Sequence, residues 1–133
     1  MTAAMPDETG VTAVSGLRIL VVEDTLLVAE VICAQLEGAG SIVIGPAARL
    51  PQALALARAE ELDGAVLDVN LNGTMSFPLA ALLEERQVPF IFLTGYDNGS
   101  VVPPEYRHVP RIAKPWHYAT FLATVAACFR RAG

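Results

Sequence analysis

Short apolar runs rich in Val, Ile and Phe alternate along the chain with longer stretches whose apolar residues recur at helical spacing. The short runs predict five strands, over residues 18–23, 41–45, 64–69, 90–94 and, least regular, 111–114. The longer stretches predict helices over residues 25–37, 50–60, 75–85 and 116–131. In the last of these, Phe121, Val125 and Phe129 follow at i, i+4 and i+8, which places them on one face.

The strands are apolar on both faces and are followed by helical segments, a pattern typical of a parallel sheet covered on two sides. We therefore predict an α/β domain with a doubly wound sheet of five parallel strands, (βα)₅. In such sheets, ligands bind beyond the carboxyl ends of the strands, where the strand order reverses. Functional residues are expected at strand ends.

Two segments depart from this alternation. Residues 96–111 contain Asn98, Gly99 and three prolines, which oppose a regular helix, so the fourth helix is predicted to be short or displaced. Residues 1–16 carry small and polar residues with Pro6, Gly10 and Gly16, show no period and are predicted to form a flexible tail. We expect one domain over residues 17–133 and no attached output domain.

Composition narrows the classes of function. The chain has 133 residues, 53% of them hydrophobic, which is enough for one core. A net charge of -5 with only 9 Lys and Arg residues argues against nucleic-acid binding. Mean hydropathy is +0.46, yet no uncharged run is long enough for a membrane helix, and the N-terminus lacks the features of a secretory signal. We expect a cytoplasmic protein with a protein or small-molecule partner, and Cys33 and Cys128 as free thiols.

Five polar residues occupy the predicted strand ends. They are Glu23, Asp24, Asp68, Thr94 and Lys114. Three carboxylates converging on one pocket would repel each other by about 4 kcal/mol per pair at 4 Å with an effective dielectric near 20. A cation would relieve this repulsion, and oxygen-only ligands favour Mg²⁺ or a similar hard ion. The pattern therefore predicts a magnesium site.

Asp68 is the natural nucleophile of this set. A metal that neutralises both Asp68 and an incoming phosphoryl group would permit in-line transfer and an aspartyl phosphate. Thr94 would then donate a hydrogen bond to one phosphoryl oxygen. Lys114, a mobile point charge, would pair with another oxygen and balance the charge of the transition state.

Each residue also has a purely structural interpretation. Asp24 is suited to capping the first helix, Glu23 to being a solvated charge, and Thr94 to ending a β-rich strand. Lys114 precedes Pro115, which favours extended backbone there. Asp68 is harder to explain in this way, because an acid inside the apolar run 65–69 is costly to bury without partners. The joint occurrence of all five favours the functional interpretation.

Taken together, the strings "ILVVEDTLLVAEVI", "GAVLDVNLNG", "PFIFLTGYD" and "AKPW" resemble the receiver domain of two-component response regulators over residues 17–131. The resemblance implies a flavodoxin-like fold with strand order 2-1-3-4-5. It implies that Glu23 and Asp24 serve a Mg²⁺ site that the Asn70 backbone carbonyl completes. It also implies that Asp68 accepts a phosphoryl group from a phosphohistidine of a sensor histidine kinase, and that Thr94 and Lys114 shift the domain between inactive and active surfaces.

One position departs from the family pattern. Many receivers have an aromatic switch residue three positions before the conserved lysine, where this chain has Arg111. The string "PFIFLTGYD" is similar to a subfamily of single-domain receivers with a Phe-x-Thr-Gly-x-Tyr motif, although Tyr96 here follows Gly95 directly. That subfamily is associated with HWE-type kinases, which makes such a kinase the leading candidate donor. Tyr96 and Asn70, each two residues past a site residue, are expected to govern water access and the lifetime of the phosphorylated state.

Two other classes of protein compete with this interpretation. Haloacid-dehalogenase-type phosphatases also use a strand-end aspartate with Mg²⁺, but they require a second aspartate two residues on, where this chain has Asn70. A pseudo-receiver would act as a protein-docking module without phosphorylation. The complete set of five reactive residues argues against a pseudo-receiver, whereas Arg111 and the proline-rich segment favour it. In the main interpretation, the domain signals through protein contact or serves as a phosphate sink.

Overall fold

The computed structural model describes residues 12–95 and 102–129. Seven strands occur in these residues: β1 (Arg18–Val22), β2 (Ile42–Ala47), β3 (Gly64–Asp68), β4 (Asn70–Leu71), β5 (Thr74–Met75), β6 (Phe90–Thr94) and β7 (Arg111–Ala113). Four α-helices accompany them: α1 (Leu26–Gly38), α2 (Leu50–Ala59), α3 (Phe77–Glu85) and α4 (Tyr118–Cys128). Short 3₁₀ helices cover Thr12–Val14 and Pro104–Tyr106. None of the helices in the described ranges is long and apolar enough to cross a membrane.

The main sheet has five parallel strands in the order β2-β1-β3-β6-β7. Counted over these five strands alone, the order is 2-1-3-4-5, so the predicted topology is confirmed. The central strands β3 and β6 are buried at every position, which explains their unbroken apolar sequences. β4 and β5 form a separate antiparallel hairpin between β3 and α3.

The sheet is covered on both faces, as the sequence predicts. On one face, α2 and α3 bury Ala53, Ala57, Leu79 and Leu83 against the sheet. On the other face, α1 and α4 bury residues at helical spacing. These residues are Ile32, Leu36, Phe121 and Val125. Each helix therefore contributes one apolar stripe to a core that has the sheet in its middle.

The second strand is longer than predicted and ends at Ala47. Its register against β1 shifts between Leu20 and Val22, where Gly45 adopts a φ of +98° that favours glycine. Pro46 is tolerated because β2 is an edge strand. The strand thereby reaches the functional edge, where the Glu23 N–H donates to the Ala47 carbonyl at 2.9 Å.

The third helix begins later than the predicted residue 75. Met75 instead belongs to β5, because Asn72 and Gly73 form a tight turn that reverses the chain before the helix. The last helix begins at Tyr118 rather than at residue 116, and residues 130–133 lie outside the description. Between β6 and β7, the described residues 102–110 contain only the 3₁₀ helix Pro104–Tyr106, which agrees with the short fourth helix expected there.

The packed structure extends further toward the N-terminus than the predicted boundary at Leu17. Val14 is fully buried in the core beside α1 and α4. Its carbonyl accepts a hydrogen bond from the buried Ser41 hydroxyl at 2.7 Å. The described residues before Leu17 are therefore anchored to the domain, while residues 1–11 lie outside the description.

Candidate functional site

The register of the main sheet brings the predicted strand-end residues to one edge. Val22 is paired with Leu67, and Asp68 with Leu93, so the residues that follow β1 and those that end β3 and β6 lie side by side. The Lys114 N–H donates to the Thr94 carbonyl at 2.9 Å and fixes the end of β7 against β6. Parallel pairing thus gathers residues that are far apart in the sequence.

Three carboxylates meet at this edge. Glu23, Asp24 and Asp68 each offer an oxygen, and these oxygens lie within 4.8 Å of one another. Glu23 is 1% exposed and Asp68 is 4% exposed, whereas Asp24 is half-buried. Burial contradicts the interpretation of Glu23 as a solvated charge. The three carboxylates form the acidic cluster.

The structure also argues against helix capping by Asp24. The N-cap of α1 is Thr25, and this helix start has no side-chain capping hydrogen bond. Glu23 contacts the chain nearby instead, since its Oε2 accepts a hydrogen bond from the Thr25 N–H at 3.1 Å. Asp24 therefore lies in the acidic cluster without an observed capping role.

Lys114 is the cation of the site and the only lysine of the chain. Its Nζ donates to Glu23 Oε1 at 2.8 Å and to Asp68 Oδ2 at 3.0 Å. Burial by itself lowers the pKa of Lys114, but the hydrogen bonds and charges of Glu23 and Asp68 outweigh it and raise the pKa. Lys114 is therefore held as a charged ammonium group between the two buried carboxylates.

The pKa of Glu23 is raised from its ordinary value. Burial raises the pKa of its carboxyl group, the hydrogen bond from Lys114 opposes this rise, and the charge of Asp68 adds to it. The Lys114 ammonium group pairs with two of the three carboxylates, those of Glu23 and Asp68. The oxygen-only donor set and its uncompensated charge fit a hard divalent cation such as Mg²⁺.

Asn70 lies beside the cluster at the start of β4 and is half-buried. Its N–H donates to Asp68 Oδ1 at 3.3 Å. Its side-chain Oδ1 accepts from the Gly73 N–H at 2.6 Å, within the hairpin. The Asn70 side-chain oxygen is thus engaged with the turn, whereas its backbone N–H is directed to Asp68.

Three predicted residues remain, and the structure describes two of them, Thr94 and Arg111. Thr94 is buried and ends β6 next to Asp68 in the sheet. Arg111 is exposed on β7, paired in register with Phe92, three positions before Lys114. Tyr96 lies outside the described residues, and its influence on the site stays a prediction.

Sequence reasoning missed two features around the cluster. The first is the β4–β5 hairpin, for which the dipeptide Asn72-Gly73 was an available signal. The second is an apolar groove between α1 and the segment after β7, lined by Leu27, Val28, Val31, Gln35, Lys114, Pro115 and Trp116. No local sequence signal identifies this groove, because its two walls are about 80 residues apart.

Comparison with known proteins agrees with this geometry. A model of the response regulator receiver domain matches residues 19–125. This chain belongs to the response regulator receiver family. A search of curated proteins finds no significant match.

Solved structures place the chain among receivers. The solution structure of SdrG from Sphingomonas melonis Fr1 is 34% identical, with a TM-score of 0.73, and the match covers 86% of this chain and 96% of SdrG. The receiver domain of a modulated diguanylate cyclase from Desulfovibrio desulfuricans G20 is 26% identical, with a TM-score of 0.76 and coverage of 86% and 94%. PhyR from Brucella abortus shares the fold at 22% identity and a TM-score of 0.76. The match covers 92% of this chain but only 51% of PhyR, so the chain spans about half the length of that relative.

Proposed function

We propose that this receiver accepts a phosphoryl group on Asp68 from a phosphohistidine, in a reaction that requires Mg²⁺. The observation that carries the proposal is the placement of Asp68, buried at the carboxyl edge of the sheet within the acidic cluster and bonded to Lys114. In the transfer, the bond between phosphorus and the histidine nitrogen breaks while a bond to an Asp68 carboxylate oxygen forms. The imidazole leaves with the electron pair of the broken bond and takes up a proton.

The residues around Asp68 have complementary roles in this proposal. Glu23, Asp24, Asp68 and the Asn70 backbone carbonyl would hold Mg²⁺, which supplies positive charge that offsets repulsion between the carboxylate and the phosphoryl oxygens. Lys114 already donates a hydrogen bond to Asp68 Oδ2 and is positioned to pair with a phosphoryl oxygen. Thr94, at the end of the neighbouring strand, would donate its hydroxyl hydrogen to another.

The donor is proposed to be a histidine kinase, with an HWE-type kinase as the leading candidate from the sequence resemblance. The groove supports a protein donor, because Lys114 lines it and also donates a hydrogen bond to Asp68, the proposed acceptor. Leu27 is 71% exposed and Val31 42% exposed, which is unusual for aliphatic side chains on one helix face. Pro115 and Trp116 form the opposite wall. We propose that an apolar helix face of the donor covers this groove. The cytoplasmic location stays a prediction.

The structure gives little support to a phosphatase of the haloacid-dehalogenase type. Asn70 stands where such an enzyme needs its second aspartate, and its side-chain oxygen accepts from Gly73 in the turn. An amide in this position does not serve as a general acid or base. Sustained hydrolysis of phosphate esters is therefore not expected.

The proposal is tested by incubating the protein with acetyl phosphate and Mg²⁺, and separately with beryllofluoride and Mg²⁺. Intact mass should show one phosphoryl group per chain, and NMR should show a beryllofluoride-dependent shift of signals near Asp68. Asp68→Asn should abolish both responses, and chelation of Mg²⁺ should do the same to the wild type.

Glu105→Gln is the matched control, because it also removes one negative charge but the Glu105 side chain is exposed, on the 3₁₀ helix Pro104–Tyr106. This variant should behave as the wild type. A folded wild-type protein that shows no Asp68-dependent response would instead identify a docking module that is not phosphorylated. Repeated turnover of phosphate esters would identify an enzyme.

A further inference from the structure

The hairpin after Asp68 has the geometry of a tight two-residue turn. Asn70 is paired with Met75 and Leu71 with Thr74, so Asn72 and Gly73 alone connect the two strands. Their φ angles are 54° and 96°, both in the left-handed region. Asn-Gly is the dipeptide that most favours such a turn. The hairpin is thus strongly specified by its own sequence.

The register of the hairpin determines where the Asn70 peptide groups point. In an antiparallel pair, residues alternate between positions that exchange backbone hydrogen bonds and positions that do not. Leu71 and Thr74 close the turn, and the Ser76 N–H donates to the Val69 carbonyl at 2.9 Å. Asn70 lies between these two bonded positions. Its N–H and C=O therefore point away from the partner strand.

The side to which they point is the side of the acidic cluster. The Asn70 N–H donates to Asp68 Oδ1 at 3.3 Å. In extended backbone, the N–H and C=O of one residue point to the same side of the strand. The Asn70 carbonyl is thus directed to the edge where the oxygens of Glu23, Asp24 and Asp68 converge.

We propose that the Asn72–Gly73 turn is a positioning element of the magnesium site. The turn holds the Asn70 carbonyl toward the acidic cluster. The hydrogen bond from the Gly73 N–H to Asn70 Oδ1 at 2.6 Å connects the turn to the residue that it positions. Leu71, which is buried in the core, anchors the hairpin to the domain. The inference rests on the proposed function, since it concerns affinity for the ion that assists transfer to Asp68.

Gly73 allows a clean test of this proposal. A Cβ added there would meet no atom within 4 Å, so Gly73→Ala would change only the preferred backbone conformation. Gly38, at the exposed end of α1, is the matched control. A Cβ added at Gly38 also meets nothing within 4 Å, but Gly38 does not have a left-handed φ. The two variants add the same methyl group and differ in backbone strain.

The experiment is a Mg²⁺ titration of the full chain, followed by fluorescence of Trp116, the only tryptophan, and repeated by NMR. We expect Gly73→Ala to weaken Mg²⁺ binding about tenfold, as changes to groups that orient metal ligands typically do. Gly38→Ala should bind Mg²⁺ as the wild type does. Asn72→Ala should also weaken binding, whereas Asn72→Gly should retain the wild-type affinity because glycine readily adopts a left-handed φ. Thermal unfolding without Mg²⁺ is measured in parallel on every variant.

The outcomes separate the inference from the proposed function. If Gly73→Ala and Asn72→Ala lower the unfolding temperature but bind Mg²⁺ as the wild type does, the turn is only structural and the inference is overturned. If Gly73→Ala does not fold, the contrast between Asn72→Ala and Asn72→Gly decides in the same way. A folded wild type with neither saturable Mg²⁺ binding nor an Asp68-dependent beryllofluoride response would overturn the proposed function itself.

Discussion

The connections that follow β3 and β7 flank Asp68 on two sides and are held in place by different kinds of contact. After β3, the hairpin depends on neighbours in the sequence: the Asn72–Gly73 turn and the bond from Gly73 to Asn70, three residues apart. After β7, Lys114 donates hydrogen bonds to Glu23, which is 91 residues away, and to Asp68, which is 46 residues away.

Trp116 continues the long-range pattern after β7. Its Nε1–H donates to Gln35 Oε1 at 2.9 Å, across 81 residues, and its ring centroid lies 5.5 Å from that of Phe121. The difference teaches that the connection after β3 is specified by neighbouring residues in the sequence. The connection after β7 forms only when the whole sheet and α1 are assembled. A change on the β7 flank should therefore affect both stability and response.

The largest effect is expected for Lys114→Met, which removes the cation while keeping most of the side-chain volume. The buried carboxylates of Glu23 and Asp68 lose their shared partner, which should lower the free energy of unfolding without Mg²⁺ by about 3 kcal/mol near neutral pH. Mg²⁺ should recover much of this loss, and the beryllofluoride-induced change elsewhere in the domain should disappear. Chemical denaturation and NMR measure the two effects.

The stability lost by Lys114→Met should depend on pH with a definite sign. The pKa of Glu23 is already raised by burial, and the loss of Lys114 removes an interaction that lowers it. The ionised Glu23 carboxyl group is therefore less favourable in the folded variant. The stability lost by the variant should shrink as the pH falls and Glu23 is protonated. Lys114→Arg, which keeps the positive charge, is the control and should lose less stability. A penalty that does not change with pH would contradict the role assigned to the buried carboxylates.

A smaller effect is expected for Trp116→Ala, which removes the contacts with Gln35 and Phe121. Because the ring is only half-buried, we expect the free energy of unfolding to fall by about 2 kcal/mol, below the range for a fully buried aromatic residue.

Gly73→Ala in the hairpin should lower the free energy of unfolding by about 1 kcal/mol through backbone strain. Urea unfolding measures both variants. Equal losses of stability for Trp116→Ala and Gly73→Ala would contradict the distinction between a flank held by local contacts and one held by long-range contacts.

The smallest effect on the free energy of unfolding is expected at the groove surface, because Leu27 is 71% exposed and its substitution should act on the rate of transfer instead. Leu27→Asp should slow phosphotransfer from an autophosphorylated HWE-type kinase about tenfold, which corresponds to about 1.4 kcal/mol. Labelling by acetyl phosphate should not change, because Leu27 lines the groove and is not part of the acidic cluster. Leu26→Asp is the matched control, since Leu26 is 72% exposed on the same helix but does not line the groove. Equal slowing by both variants would argue against the groove as the docking surface.

Much of the fold was predictable because strands and helices leave local periodic signals. The alternation of apolar runs with helical stretches predicted the parallel sheet. The prolines predicted a short or displaced fourth helix, and the described residues 102–110 contain only the 3₁₀ helix Pro104–Tyr106. The start of α3 was predicted two residues early because the Asn72–Gly73 turn was overlooked. The boundary at Leu17 was too late because Val14 lies in a segment without an apolar period, and its burial depends on distant helices.

The sequence by itself determined which residues stand at the strand ends, because each end follows from its own apolar run. It therefore determined the candidates Glu23, Asp24, Asp68, Thr94 and Lys114, and also the Asn72–Gly73 turn. Only the tertiary structure decided that Glu23 is buried and bonded to Lys114, and that Leu27 faces Trp116 across a groove. The physical reason is that burial and ion pairing depend on strand order and register, which bring together groups that are far apart along the chain.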